Sequence, residues 1–277
     1  MQTILLSAHE VLAGYDEVSV LYPYVPPLSH WRAWEYAAYQ KYQLSGRILD
    51  LGCGDGRYFQ LIWPQAEEVV GVELDEEVAQ LAKQNGVYRK VHITAAHQIP
   101  EPDNSFEHVF ANCSLEHMDQ LDIVLGEIFR CLKPGGTLLC SVVTDRFLDW
   151  CYLPKLVEIT GSLDTALTLR QEFIDYHHLV NPLTTEEWLS RFTEAGFTME
   201  QHIPILPKLN SCLFLLMDNF WHVKQKKGGE MGDLLFPLLN EIPNFPTAFR
   251  KIFEAYLEME TNWHDCSGAV YLVQKEG

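Results

Sequence analysis

From residue 46 onward the chain alternates short apolar runs with amphipathic stretches. Residues 47–51 read as a strand ending in glycines, 68–73 as a buried strand (V-V-G-V), 91–95 as a third, 106–111 as a fourth and 137–143 as a fifth. Between them, residues 58–63 read as a helix stopped at Pro64. A second helix opens at Asp75, Glu76 and Glu77, where acids suit the positive end of the dipole, and closes at Asn85-Gly86. Leu121, Val124, Leu125, Ile128, Phe129 and Leu132 fall on one face of a 3.6-residue period. Lys133 suits the C-terminus of that helix, and Pro134-Gly135-Gly136 ends it. Thr184 with Glu187 forms a capping box before a helix with Trp188, Leu189 and Phe192 on its apolar side, stopped at Gly196. Residues 197–206 and 268–273 read as the last two strands.

Strands alternating with helices predict a parallel sheet covered on both faces. Two segments stand outside this rhythm. Residues 1–44 form an aromatic front, broken by Pro23, Pro26 and Pro27 in its first half and helical from Ser29. Residues 207–267 form an insertion with Phe249, Ile252, Phe253, Tyr256 and Leu257 on one helical face and a mobile loop at Lys226-Lys227-Gly228-Gly229. The insertion is either a cap over a substrate pocket or extra core. The sheet domain is then 45–206 plus 268–277.

The formal net charge is −18, from 38 acidic and 20 basic residues, which disfavours nucleic acid as a partner. Seven scattered cysteines with no C-x-x-C pair suit free thiols in a reducing compartment. The apolar run at residues 4–6 is too short for a signal peptide, and no stretch is long enough to insert in a membrane, so the reading is a cytoplasmic protein.

The chemistry concentrates at Asp50-Leu51-Gly52-Cys53-Gly54-Asp55-Gly56, leaving a strand and entering a helix. Glycines there allow a tight turn and close approach of a ligand, and free N–H groups follow. Glu73, ending the next strand, suits the two hydroxyls of a ribose. A dinucleotide fingerprint starting at Gly52 needs glycine at position 57, which is Arg57, so a nucleotide-dependent oxidoreductase is disfavoured.

At this point the chain resembles the class I S-adenosylmethionine-dependent methyltransferases, in particular the small-molecule branch often called type 11. The D-x-G-x-G-x-G run, Glu73 in V-G-V-E-L-D, Pro102-Asp103-Asn104-Ser105-Phe106, Leu115-Glu116-His117 and Leu132-Lys133-Pro134-Gly135-Gly136 are similar to that family's motifs, in order and at its spacing. The resemblance implies a Rossmann-like, doubly wound, mostly parallel seven-stranded sheet with an antiparallel last strand. It implies S-adenosylmethionine as cofactor and S-adenosylhomocysteine as product. Gly52 and Gly54 would pass the methionine part, with Asp50 beneath its amino group and Asn112 near the same end. Glu73 would hold the ribose, Leu74 would lie against the adenine and Ala96 would offer it an N–H. The family's usual aspartate before that position is Ala95 here, with His97 or Gln98 as substitutes.

His117 is the first candidate near the methyl, as base or as orienter, with Glu116 pointing away to solvent. Tyr176, His177 and His178 border the substrate region; two adjacent histidines in a strand cannot both face one pocket. No spaced ligand set supports a metal. Arg32 is either a clamp for the cofactor's carboxylate or a surface partner of Glu35. Tyr22, Tyr24 and Trp31 either close over the site or are core. Asn181-Pro182-Leu183 differs from the motif of amino-methylating nucleic-acid enzymes. The expectation is methyl transfer to oxygen or nitrogen of a small, hydrophobic or aromatic acceptor; the alternative is a non-catalytic, methyltransferase-like binding subunit. Oligomeric state is left open.

Overall fold

The apolar runs become the middle of one sheet. In the computed structural model, which describes residues 1–277, the elements in chain order are β1 (Gln2–Thr3), α1 (Ala8–Leu21), α2 (Pro26–Tyr39), β2 (Arg47–Leu51), α3 (Arg57–Ile62), β3 (Glu68–Glu73), α4 (Glu76–Asn85), β4 (Lys90–Ile93) and β5 (Phe106–Asn112). After a 3₁₀ turn at Leu115–His117 come α5 (Leu121–Cys131), β6 (Leu132–Val143), α6 (Arg146–Asp149), α7 (Tyr152–Ile159), α8 (Leu163–Tyr176), α9 (Thr185–Glu194) and β7 (Phe197–Pro207). Helices α10 (Lys208–Trp221), α11 (Met231–Asn240) and α12 (Phe245–Met259) precede β8 (Cys266–Lys275).

The sheet order is β1-β7-β8-β6-β5-β2-β3-β4. Strand β8 runs antiparallel to β6 and β7, and the other pairs are parallel. The sheet has eight strands where seven were expected, because Gln2–Thr3 adds an edge strand beside Gln201 and His202. Two exposed residues carry no periodicity that a sequence can show. The chain leaves β2 toward β3 on one side while β5 lies on the other, so a crevice opens at the carboxyl ends of β2 and β5.

Both faces are covered. Helices α5 and α9 press Val124, Leu125, Ile128, Trp188 and Phe192 onto one side, each aliphatic side chain contributing about 1.5–3 kcal/mol by burial. On the other side α1, α2, α10 and α12 pack Tyr15, Trp34, Phe214 and Phe253 against Ile48, Phe110 and Val270. The Thr184–Glu187 box forms: the Glu187 N–H donates to the Thr184 hydroxyl, and the Glu187 carboxylate takes the Thr184 N–H at 2.8 Å.

Three local expectations are corrected. The front segment contains helix α1, capped by Ser7 and Glu10. Helix α2 starts at Pro26, since Pro26 and Pro27 occupy first-turn positions that need no N–H. Helix α5 ends at Cys131, before Lys133; Leu132 is already extended and pairs with Phe106. Between β6 and α9, α6 to α8 occupy a stretch the sequence reading left without elements; α7 has no buried residue and α8 buries only Ala166 and Phe173. The Lys226–Gly229 loop is a turn closing a bridge between Lys224 and Glu230. All seven cysteines are free, and no helix is long and apolar enough to cross a membrane.

Candidate active site

The glycine loop sits at the mouth of the crevice. Gly52 has φ +74°, and a Cβ there would lie 2.8 Å from the Ser114 Cβ, so this position needs glycine for packing as well as conformation. Gly54 has φ +56°, yet its missing Cβ faces open space. Its N–H donates to Glu73 Oε2 at 3.0 Å, while Glu73 Oε1 takes the N–H groups of Leu74 and Asp75 at 2.8 and 3.0 Å. One carboxylate therefore ties the loop after β2 to the loop after β3.

Beneath the loop lies Asp50. It is buried, and its Oδ2 accepts the Tyr88 hydroxyl at 2.6 Å. Burial pushes its carboxyl up to about 7, and the charge of Glu73 adds to this. Leu74 is exposed, Ala96 packs at the margin of the core, His97 is half-buried and Gln98 is exposed. At the end of β5, Asn112 Oδ1 accepts the Tyr39 hydroxyl at 2.8 Å, which links the front helices to the sheet.

Next to this crevice is a cavity of about 340 Å³, walled by α2, the 3₁₀ turn, α6, the end of α8 and α10. Arg32 lines it and pairs with Glu35 at 2.6 Å. The pair is not a surface one: Glu35 is fully buried and also accepts the Ser141 hydroxyl at 2.7 Å and the Cys113 thiol at 2.9 Å. The Arg32 guanidinium lies 4.9 Å from the centre of the Tyr58 ring. Trp31 also lines the cavity and donates its indole N–H to Cys113 Sγ. Tyr24 turns instead to Phe236 of α11, ring centres 5.8 Å apart, and Tyr22 is half-buried at the end of α1; neither is in the cavity wall.

His117 faces the cavity from the 3₁₀ turn. Its Nδ1 is 3.2 Å from the His178 carbonyl, which only accepts, so the ring proton belongs on Nδ1 and Nε2 carries a free lone pair. Burial lowers its pKa, favouring the neutral ring. Glu116 does not point to solvent as expected. It is fully buried, lines the cavity, and neither carboxyl oxygen has a hydrogen-bond partner. Burial pushes this carboxyl up to about 8; its own backbone N–H, the nearby Cys113 thiol and Arg32 oppose the shift, and Glu35 adds to it.

The adjacent histidines lie in a helix end rather than a strand. His177 caps α8 and turns inward, with Nε2 at 2.9 Å from Asp218 Oδ2. His178 is exposed at φ +46° and contributes only its carbonyl to His117. Asp218 of α10 and His222 at its C-cap, four apart, were missed by the sequence reading because they sit in the insertion. Asp218 Oδ1 is 3.5 Å from His222 Nε2, whose other ring nitrogen is 2.7 Å from Glu230 and 2.5 Å from the Tyr176 hydroxyl. The two histidines hold the Asp218 carboxyl below its usual range against the opposing effect of burial. Tyr88, the partner of Asp50, was missed too; nothing local marks it. The only readable trace of the α10 pair is the four-residue spacing of Asp218 and His222.

Comparison with known proteins points to methyltransferases. A methyltransferase domain model matches residues 49–140. A probable S-adenosylmethionine-dependent methyltransferase of Mycolicibacterium smegmatis is 34% identical over 183 residues, covering 64% of this chain and 63% of that protein. A demethylmenaquinone methyltransferase of Symbiobacterium thermophilum is 28% identical, covering 50% of this chain and 58% of that protein. The chain thus spans about half the length of the curated relatives it matches. Among solved structures, a putative methyltransferase from Bacillus halodurans superposes with TM-score 0.51 at 19% identity, covering 88% of this chain and 99% of that one. The [4+2]-cyclase SpnF superposes with TM-score 0.53 at 20% identity, covering 88% and 82%. That likeness is one of fold, which hosts more than one chemistry.

Proposed function

We propose that this chain is a class I S-adenosylmethionine-dependent methyltransferase that moves a methyl group to an oxygen or nitrogen of a small, largely apolar acceptor. The observation that carries this reading is a cavity holding an oriented histidine beside the glycine loop, with Cys113 in the cavity wall and Ser114 against Gly52. The residues present fit the cofactor: open space faces Gly54, two carboxyls (Asp50 and Glu73) flank the loop, and Asp50 is buried without a cationic partner.

Glu73, Asp50 and the backbone of Gly52 and Gly54 would hold the cofactor, with Asn112 and Arg32 toward the acceptor side and Leu74 and Ala96 toward the base. When bound, S-adenosylmethionine supplies a methyl group on a positively charged sulfur. The chain's own task is then placement. The apolar cavity wall excludes water and aligns the acceptor. His117 Nε2 takes a proton from the acceptor, while the His178 carbonyl keeps the ring in the required tautomer. The insertion acts as a lid, since Phe214, Asp218, Trp221 and His222 of its first helix and its end close one wall.

Isothermal titration with S-adenosylmethionine and S-adenosylhomocysteine tests the reading. Binding that weakens in Glu73→Ala supports it. Absence of binding by the unmodified chain overturns it and favours a binding subunit that has lost the cofactor.

A further inference from the structure

We propose that the face formed by α7 and α10 docks on an anionic lipid surface, with the apolar side chains of its groove at the boundary between headgroups and acyl chains and with Lys155, Lys208 and Lys224 meeting the headgroups. This groove shares no lining residue with the cavity beside the glycine loop, and lipid docking does not depend on methyl transfer.

Helix α7 is amphipathic, yet none of its residues is buried. Its apolar side borders a groove of about 220 Å³ shared with α10. Tyr152, Leu153 and Leu156 of α7, Leu216 and Phe220 of α10 and the following Val223 line this groove, and each is 40 to 70 % exposed. Exposed apolar side chains scattered singly need no explanation, but six converging on one groove mark a surface that meets something apolar. The groove has no charged lining residue. Its one polar residue, Asn219, directs its amide N–H to the Leu215 carbonyl at 2.6 Å, so little there suits a polar ligand.

Charge around the groove selects the partner. The Lys155 ammonium lies 5.2 Å from the centre of the Tyr152 ring. Burial raises the Cys212 thiol in the groove wall, while Lys208 and Lys155 act against the rise and Glu260 adds to it, so both lysines lie within electrostatic reach of the groove. Lys224 follows Val223 directly, and Lys226 and Lys227 are exposed in the next turn. Nearby acids are occupied or turned away. Asp149 pairs with Arg146 at 3.3 Å, and Glu260 accepts the Leu209 N–H at 2.9 Å. Glu158 falls on the opposite side of α7 from Leu156. Glu172 and Asp175 line the neighbouring cleft, with Lys224, and not this groove. The chain's overall charge of −18 acts weakly here, because charges beyond about 8–10 Å are largely screened in physiological salt.

An apolar face rimmed by lysines is the arrangement by which a peripheral helix lies on an anionic membrane, its apolar side chains inward and its ammonium groups at headgroup level. Tyr152 suits the same depth, since its ring is apolar and its hydroxyl prefers water. A second copy of the chain fits less well. Twofold pairing of this face on itself would set one lysine rim against the other, with no acid in the groove lining to answer them.

The test is flotation of the whole chain with vesicles of phosphatidylcholine alone and with vesicles mixed about 7:3 with anionic phosphatidylglycerol. The expected result is binding about tenfold or more tighter to the mixed vesicles, weakening as salt is raised. Leu216→Gln combined with Phe220→Gln should weaken that binding about tenfold or more. Lys155→Gln, Lys208→Gln and Lys224→Gln together should remove the preference for the anionic vesicles; they alter only exposed side chains and keep the test decisive should the first variant fail to fold. Absence of flotation, equal binding to the two vesicle types, or binding that neither set of substitutions weakens overturns the inference. So does sedimentation of the lipid-free chain as a dimer that the Leu216→Gln, Phe220→Gln variant dissociates, which would assign this face to a second copy.

Discussion

His117 Nε2 stands 4.0 Å from Glu116 Oε1, beyond hydrogen-bond distance, with both groups on the cavity wall. His117 Nε2 keeps a free lone pair, while the Glu116 carboxyl beside it is sealed from solvent, so of the two only His117 is placed to take a proton from an acceptor. Replacing His117 by glutamine is expected to lower turnover about 10²- to 10⁴-fold, with affinity for S-adenosylhomocysteine within about twofold. Labelled-methyl assays and calorimetry on the same preparation check this; equal losses in both would place His117 in cofactor binding instead.

Gly52 and Gly54 separate packing from ligand approach. Gly52→Ala should destabilise the fold by about 1–3 kcal/mol, since its methyl collides with Ser114. Gly54→Ala meets no protein atom and should cost about 1–2 kcal/mol for the left-handed conformation, but weaken S-adenosylhomocysteine about tenfold or more. Thermal melts and titrations of both variants decide; a Gly54→Ala protein that binds normally would move the cofactor away from this loop.

The raised carboxyls make stability depend on pH. Folded Asp50 and Glu116 hold protons up to about 7 and about 8, whereas ordinary carboxyls release them near 4. The folded chain then binds more protons than the unfolded one in that window, so stability falls as pH rises, by up to about 1.4 kcal/mol per pH unit for each group. Glu116→Gln, which cannot titrate, should show a shallower fall in Tm between about pH 5 and pH 8. Parallel curves for the two proteins would mean that Glu116 is ionised in the folded chain.

Asp218 joins α8 to the insertion through His177 and His222. Asp218→Asn removes the charge that both rings address, at a cost of about 1–3 kcal/mol. Amide exchange is expected to quicken at the end of α8 and in α10 while β2 to β6 stay protected. Uniform quickening across the sheet would show that Asp218 supports the whole fold and not the wall of the cavity.

The helices and strands were legible where period and burial agree. Helix α5 shows five apolar positions on one face (Leu121, Val124, Leu125, Ile128 and Phe129), and β3 is a continuous buried run, so each announced itself within a dozen residues. The glycine loop and Glu73 were legible because a tight turn and a strand end demand particular residue types. Helices α7 and α8 went unread although α7 is amphipathic; they bury almost nothing, and only the tertiary structure shows them lying on the outside of the fold. Glu116 was misread because a glutamate's default place is water, and only packing around it reverses that default.

By itself the sequence determined the βαβ order, the glycine turn and the acid at its edge, since these depend on neighbours a few residues apart. The tertiary structure alone decided which groups meet. Tyr88 reaches Asp50 across 38 residues, His177 reaches Asp218 across 41, and Ser141 reaches Glu35 across 106. Such contacts follow from how the sheet orders its strands and where the inserted helices pack, and no local spacing encodes them. Burial, which turns Glu116 from a surface acid into an enclosed carboxyl with a raised pKa, is likewise a property of the assembled fold.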